Sequence, residues 1–237
     1  MVFSEFKKKI VLITGAAGGI GTAVAESFSN FNAIIYQTDI RLIDNPNFIQ
    51  GDISDLDFIK KLVKQIVDRE GRIDILVNNA GICPRTQVPD ISADEWKRVM
   101  DINLTSVFFL GQAVMNVMIK NKSGVIVNLA SLAGQNGGIA VGANYSASKA
   151  AIECLTKTFA KIGAPYGIRV NAVAPVVIDT EIHEKSTPEQ LEQYKRSIPL
   201  GRMGTPAEVA NVILVLASNL TSYITGTTID INGGLKM

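Results

Sequence analysis

Thr14-Gly15-Ala16-Ala17-Gly18-Gly19-Ile20-Gly21 stands between two apolar stretches of different kind. Ahead of it lies Ile10-Val11-Leu12-Ile13, a mostly β-branched run with the character of a strand buried on both faces. Behind it lies Thr22-Ala23-Val24-Ala25-Glu26-Ser27-Phe28, helix formers with apolar residues at helical spacing. The glycines therefore sit at a strand-to-helix turn. Glycine reaches φ > 0 without a Cβ clash and lets a bulky group approach the backbone. The helix that follows offers unpaired N–H groups and the positive end of its dipole, which suits a diphosphate. A glycine cluster that serves only a sharp bend has the same composition. The spacing Gly15-x-x-x-Gly19-x-Gly21 also departs from the dinucleotide fingerprint Gly-x-Gly-x-x-Gly. No Lys-Ser/Thr pair follows Gly21, which argues against a triphosphate loop.

Outward from that turn the chain alternates strands and helices. Ala33 to Thr38 reads as a second strand ending at Asp39, eighteen residues beyond Gly21. A carboxylate there can accept both hydroxyls of an adenosine ribose and repels a 2′-phosphate, so Asp39 favours NAD(H) and leaves NADP(H) open. Arg41 stands two positions on as a partial offset, and a turn or capping aspartate is the plain alternative. Phe48 to Ile53 is a third strand, Ser54 or Asp55 caps a helix to about Arg69, and Ile73 to Val77 is a fourth strand leading into Asn78-Asn79-Ala80-Gly81. Ser92 and Glu95 have capping-box spacing at the start of a helix to Val99, and Asn103 opens a second, apolar helix to about Ile119. Val125 to Leu129 is a fifth strand ending at Ala130-Ser131, Tyr145 begins another helix, and Ile168 to Ala174 is a sixth strand closed by Pro175. Residues 176–200 are polar, with Ser186-Thr187-Pro188-Glu189 as a helix start, and read as a mobile flap. Thr205-Pro206-Ala207-Glu208 caps a last helix, Val209 to Ala217, and Thr227 to Ile231 is the last strand. The pattern is that of an α/β chain with a doubly wound, Rossmann-type, mostly parallel seven-stranded sheet and helices on both faces. Ligands in such sheets bind outside the carboxyl ends of the strands, where Gly15, Asp39, Asn79 and Ser131 should converge.

Composition narrows the chemistry. A chain of 237 residues, 47% hydrophobic and 19% charged, suits one domain over residues 1–237. The net charge of +1 and scattered basic residues point away from nucleic acid and anionic membranes. Lys7-Lys8-Lys9 precedes only a four-residue apolar run, too short for a signal peptide, and no apolar segment has the length of a membrane span. A cytoplasmic protein is expected. Cys83 and Cys154 are too few for a disulfide scaffold, and Cys154 falls on an apolar helical face as a small core residue. With His183 the one histidine, no zinc cluster is expected, and Gly-x-Ser-x-Gly is absent.

Tyr145 and Lys149 are four apart and so share one face of their helix. An ammonium beside a phenol favours the phenolate, so the pKa of Tyr145 is expected below its usual value of about 10.

Taken in order, Thr14-Gly15-x-x-x-Gly19-Ile20-Gly21, Asn78-Asn79-Ala80-Gly81, Asn103, Ser131, Tyr145-x-x-x-Lys149 and the Asn171-to-Thr180 stretch resemble the short-chain dehydrogenase/reductase family over nearly the whole chain. The resemblance implies a catalytic tetrad of Asn103, Ser131, Tyr145 and Lys149: Tyr145 gives a proton to a carbonyl oxygen that Ser131 polarises, Lys149 holds the nicotinamide ribose and depresses the Tyr145 pKa, and Asn103 holds a water. It implies nucleotide contacts by Gly15, Ala17, Gly19, Ile20, Gly21, Asp39, Asp52, Ile53, Asn79, Ala80 and Gly81. Nearer the nicotinamide it adds Tyr145, Lys149, Pro175, Ile178 and Thr180. It further implies a homotetramer built on the helices carrying Asn103 and Tyr145. Two departures are the short link from Asp39 to Asp52 and Pro175-Val176 where relatives have Pro-Gly. Among relatives the chain resembles 3-oxoacyl-[acyl-carrier-protein] reductases of fatty acid biosynthesis and sugar or polyol dehydrogenases. A non-catalytic dinucleotide-sensing protein is the alternative of another class. Gln135, Asn136, Val176 and His183 are pocket-lining candidates, with an exposed flap residue as the plain reading of His183.

Overall fold

The computed structural model describes residues 3–138, 140–180 and 187–236. Seven strands form one sheet: β1 Ile10–Thr14, β2 Ile34–Asp39, β3 Phe48–Gln50, β4 Ile75–Asn78, β5 Gly124–Leu129, β6 Ile168–Pro175 and β7 Thr228–Ile231. Their order across the sheet is β3-β2-β1-β4-β5-β6-β7, and every pairing is parallel. The order reverses between β1 and β4, which opens a crevice at their carboxyl ends.

Strand alternation divides the core between two helical layers. Val11 and Ile13 of β1 face one layer, made with α1 (Gly19–Ser29) and α8 (Pro206–Ala217). Ile10 and Leu12 face the other, made with α2 (Leu56–Glu70), α4 (Ser106–Asn121) and α6 (Ala143–Gly163). All five β1 residues are buried, so each large apolar side chain there contributes about 1.5–3 kcal/mol, which pins the turn that follows. The remaining helices are α3 (Ala93–Met100), the short α5 (Leu132–Asn136) and α7 (Pro188–Ser197).

The two helices expected on either side of residue 100 are one. From Ala93 to Asn121 the chain is helical for 29 residues, with a π-helical turn at Asp101–Thr105, because neither glycine nor proline stands between Ala93 and Leu110 to break it at the junction. By length and apolar content this helix meets the criterion for a membrane span, contrary to the expectation from the sequence. Its Val107, Leu110, Val114, Met115 and Met118 are buried against the sheet and neighbouring helices, as in a core helix. Cys154 is exposed on α6 and not in the core, since the helix turns Ile152 and Thr156 inward instead. The third strand ends at Gln50, short of Ile53, where Gly51 turns to donate to the Asp39 carbonyl at 3.1 Å. At Val176 the backbone keeps an ordinary negative φ and its N–H donates to Ile231 O at 3.1 Å, so valine there is unstrained.

Candidate active site

The glycine turn is locked onto the start of the β4 loop. Gly15 has φ +63°, and a Cβ on it would stand 2.7 Å from Ala80 Cα. Asn79 Nδ2 donates to Thr14 O at 3.0 Å and Gly15 O at 2.9 Å, while Thr14 Oγ1 accepts from Asn79 N at 3.1 Å and Ala80 N at 3.0 Å. A Cβ on Gly21 would fall 2.3 Å from Gly15 O, so this glycine serves the close packing of helix on turn.

A cavity of about 940 Å³ opens along the carboxyl ends of the strands. Gly15, Gly19, Ile20, Asp39, Asp52 and Ile53 line one end. Asn79, Ala80, Gly81, Ser131, Tyr145, Lys149, Pro175, Ile178 and Thr180 continue the wall, with Asn136 and Val176. Ala17, Gly21 and Asn103 are not on it. Gln135 faces elsewhere, donating to Glu153 at 2.8 Å and Asp230 at 2.8 Å, and His183 lies outside the described residues. Cys83, Arg85 and, from α7, Tyr194 join the wall; closeness to Gly81 is the sequence signal for the first two, and Tyr194 has none.

The dimensions and chemistry of this wall suit a nicotinamide dinucleotide. Helix α1 starts at Gly18 with no side-chain cap and no acidic residue in its first turn, so its first N–H groups are left for an anion. Gly18 and Gly19 put no Cβ on the wall beside them. At the far end the Asp39 carboxylate accepts from Ala17 N at 3.0 Å and Arg41 N at 2.9 Å, which fixes its direction, and Arg41 Nε lies 3.6 Å away.

Asn103, Ser131, Tyr145 and Lys149 come together although β5, the π turn and α6 supply them separately. Ser131 caps α5, its Oγ accepting from Ala133 N at 3.2 Å, and its hydroxyl is hydrogen-bonded to the Tyr145 phenol. Lys149 is buried, donates from Nζ to Leu129 O at 2.6 Å, and sits 5.7 Å from the Tyr145 ring centroid. The Asn103 side chain is committed on both sides: Oδ1 accepts from Ile82 N at 2.9 Å, and Nδ2 donates to Ile82 O at 2.9 Å and Ser148 Oγ at 3.2 Å. The Asn103 amide thus clamps Ile82.

Electrostatics overturn the expected pKa of Tyr145. Burial pushes its phenol up to about 12, the nearby Cys83 thiol adds to the rise, and the Ser131 hydrogen bond opposes it. Burial lowers the Lys149 ammonium to about 8, with Cys83 opposing. The ammonium is thus charged at neutral pH and has lost its proton by the pH at which the phenol titrates. The same surroundings hold the Cys83 thiol up at about 11, chiefly by burial, with Lys149 and Arg85 opposing.

A pH profile checks this. Rates measured at subsaturating cofactor report the unliganded enzyme. They are expected to be level through neutrality and to fall above about pH 8, as Lys149 loses its charge. The limb should move upward in Lys149→Arg; a level profile to pH 10 or so would contradict the assignment.

Known proteins resemble this chain in sequence and in fold. The family model described as enoyl-(acyl carrier protein) reductase matches residues 15–236. The chain is 42% identical over 240 residues to 3-oxoacyl-[acyl-carrier-protein] reductase FabG of Thermotoga maritima, covering 96% of this chain and 97% of that protein. Among solved structures, a 3-oxoacyl-[acyl-carrier protein] reductase with bound NAD from Brucella melitensis superposes with a TM-score of 0.89 at 38% identity, covering 99% of this chain and 93% of that one. The ligand-free aldohexose dehydrogenase of Thermoplasma acidophilum superposes with a TM-score of 0.92 at 33% identity, covering 98% and 96%.

Proposed function

The chain belongs to the short-chain dehydrogenase/reductase family and is an NAD(P)-dependent oxidoreductase, and from that premise we propose that it reduces 3-oxoacyl thioesters on an acyl carrier protein, with NADH as the preferred cofactor. The observation that carries this reading is the meeting of Tyr145, Ser131 and Lys149 on one wall of the long cavity whose other end is Asp39. Residues 1–237 act as one domain in this reading, with a cytoplasmic setting and with 176–200 as the flap, of which 181–186 lie outside the described residues.

Gly15, Gly19 and Ile20 would hold the diphosphate, Asp39 the adenosine ribose, Asp52 and Ile53 the adenine, and Asn79, Ala80, Gly81, Pro175, Ile178 and Thr180 the nicotinamide half. The bound dinucleotide supplies the hydride. Tyr145, protonated at neutral pH, donates its phenolic proton to the carbonyl oxygen, and the Ser131 hydroxyl polarises the same oxygen. The Lys149 ammonium orients the ribose and offsets charge that develops on Tyr145. Asn103 acts from behind by holding Ile82.

Steady-state rates with an acetoacetyl thioester, a diketone, a keto sugar and an aromatic ketone test the substrate. Preference for the thioester is expected; preference for the sugar would favour the second reading, a sugar or polyol dehydrogenase, which the likeness to the aldohexose dehydrogenase supports.

We also propose a homotetramer built on α4 and α6. Phe108 and Phe109 of α4 stack edge to face and remain exposed, as do Ile162 at the end of α6 and Tyr166 just beyond it. Phe109→Glu is expected to shift the species seen by light scattering toward smaller assemblies, because it places a charge in a face that association would dehydrate.

A further inference from the structure

The carboxylate of Glu95 leaves the partner that its place in the sequence prescribes. In a capping box the third helical residue reaches back to the N-cap N–H, and both halves close at Thr187/Gln190 and Thr205/Glu208. At α3 only one half forms: Ser92 Oγ accepts from Glu95 N at 3.1 Å. The carboxylate crosses to two other segments instead. Its Oε1 accepts from Asn144 Nδ2 at 2.8 Å, and its Oε2 accepts from Thr86 Oγ1 at 2.8 Å.

Both partners matter for the site. Asn144 is fully buried, and its Oδ1 accepts from Tyr145 N at 2.8 Å. Because α6 begins at Gly142 with no side-chain cap, that N–H is one of the orphan donors of the first turn. Gly142 N donates to Pro84 O at 2.8 Å, and a Cβ on Gly142 would stand 2.4 Å from Asn144 Oδ1. The segment Ile82 to Thr86 is thus tied at alternate residues: Ile82 to Asn103, Pro84 to Gly142 and Thr86 to Glu95. Cys83 and Arg85, between the ties, line the cavity, while Glu95 does not.

We propose that Glu95 is a positioning residue: through Thr86 and Asn144 it couples the substrate-side segment Ile82–Thr86 to the first turn of the helix that carries Tyr145. It thereby sets the phenol against the wall where the carbonyl compound lies, touching neither substrate nor cofactor. The proposal rests on Tyr145 being the proton donor. Glu95→Ala leaves two donors without an acceptor, and a small displacement of the phenol lowers kcat/KM for the carbonyl substrate by about 10²-fold. The Kd for NADH, read from nucleotide fluorescence, stays at the wild-type value, because the glycine turn and Asp39 are untouched. Glu95→Gln keeps an acceptor for Asn144 and a polar end for Thr86, and recovers most of the loss. Thr86→Val opens one tie alone; it raises KM for the carbonyl compound more than it lowers kcat, and serves if Glu95→Ala does not fold.

Wild-type carbonyl kinetics in Glu95→Ala and Thr86→Val overturn the proposal. So does a loss of NADH affinity in step with turnover, which marks general loosening of the fold. The two readings fail separately: retained turnover in Tyr145→Phe removes the proton donor, whereas an inactive Tyr145→Phe beside a fully active Glu95→Ala removes only the coupling.

Discussion

Tyr145→Phe is expected to lower carbonyl reduction by about 10²- to 10⁴-fold, the range in which a positioned general acid contributes. The substitution deletes one oxygen and keeps the ring, so packing on α6 is preserved. Ser131 loses a partner but retains Ala133 N, which it already accepts from at 3.2 Å. The cofactor wall from Gly15 to Asp39 lies on other elements, so NADH affinity should change little. Fluorescence titration with NADH and a turnover assay with an acetoacetyl thioester together decide it. Wild-type rates in the variant would mean that another group supplies the proton, and Cys83, held protonated at neutral pH, would be the first to examine.

Asp39→Ser is expected to lower kcat/KM for NADH by about 10- to 10²-fold, as suits loss of hydrogen bonds to a charged acceptor worth about 1.5–3 kcal/mol. The effect is that large because the carboxylate is fixed in advance: Ala17 N and Arg41 N hold its two oxygens at 3.0 and 2.9 Å. A ribose diol meets an acceptor already aimed, while a 2′-phosphate meets a like charge. With serine the repulsion disappears and the Arg41 guanidinium, which carries an ion pair with Asp39 at 3.6 Å, is left as the local counter-charge. The NADPH value should therefore rise as the NADH value falls. A wild-type enzyme that already prefers NADPH would refute the argument from Asp39.

Much of the site could be read along the chain because its requirements are local. A helical repeat brings Tyr145 and Lys149 to one face, and a sharp turn needs glycine at position 15, whose φ is +63°. Asp39 follows from strand ends that share one edge of a parallel sheet. Other residues follow rules that are not local. Glu95 has the spacing of a capping box yet bonds across 49 positions to Asn144. Asn103 was legible as a site residue, but its use as a clamp on Ile82, 21 positions away, was not. Gln135 stands near Ser131 in sequence, and its amide is drawn off by Asp230, 95 positions on.

Sequence by itself determined the alternation of strands and helices, the glycine turn and many of the side chains brought to the carboxyl edge, since periodicity and the steric needs of glycine act over a few residues. Tertiary structure alone decided what those side chains do chemically. The phenol of Tyr145 is raised and the ammonium of Lys149 lowered by surroundings that strands and loops far apart in the chain build together. Solvation and the choice of hydrogen-bond partner depend on that assembled neighbourhood, and no local pattern encodes it.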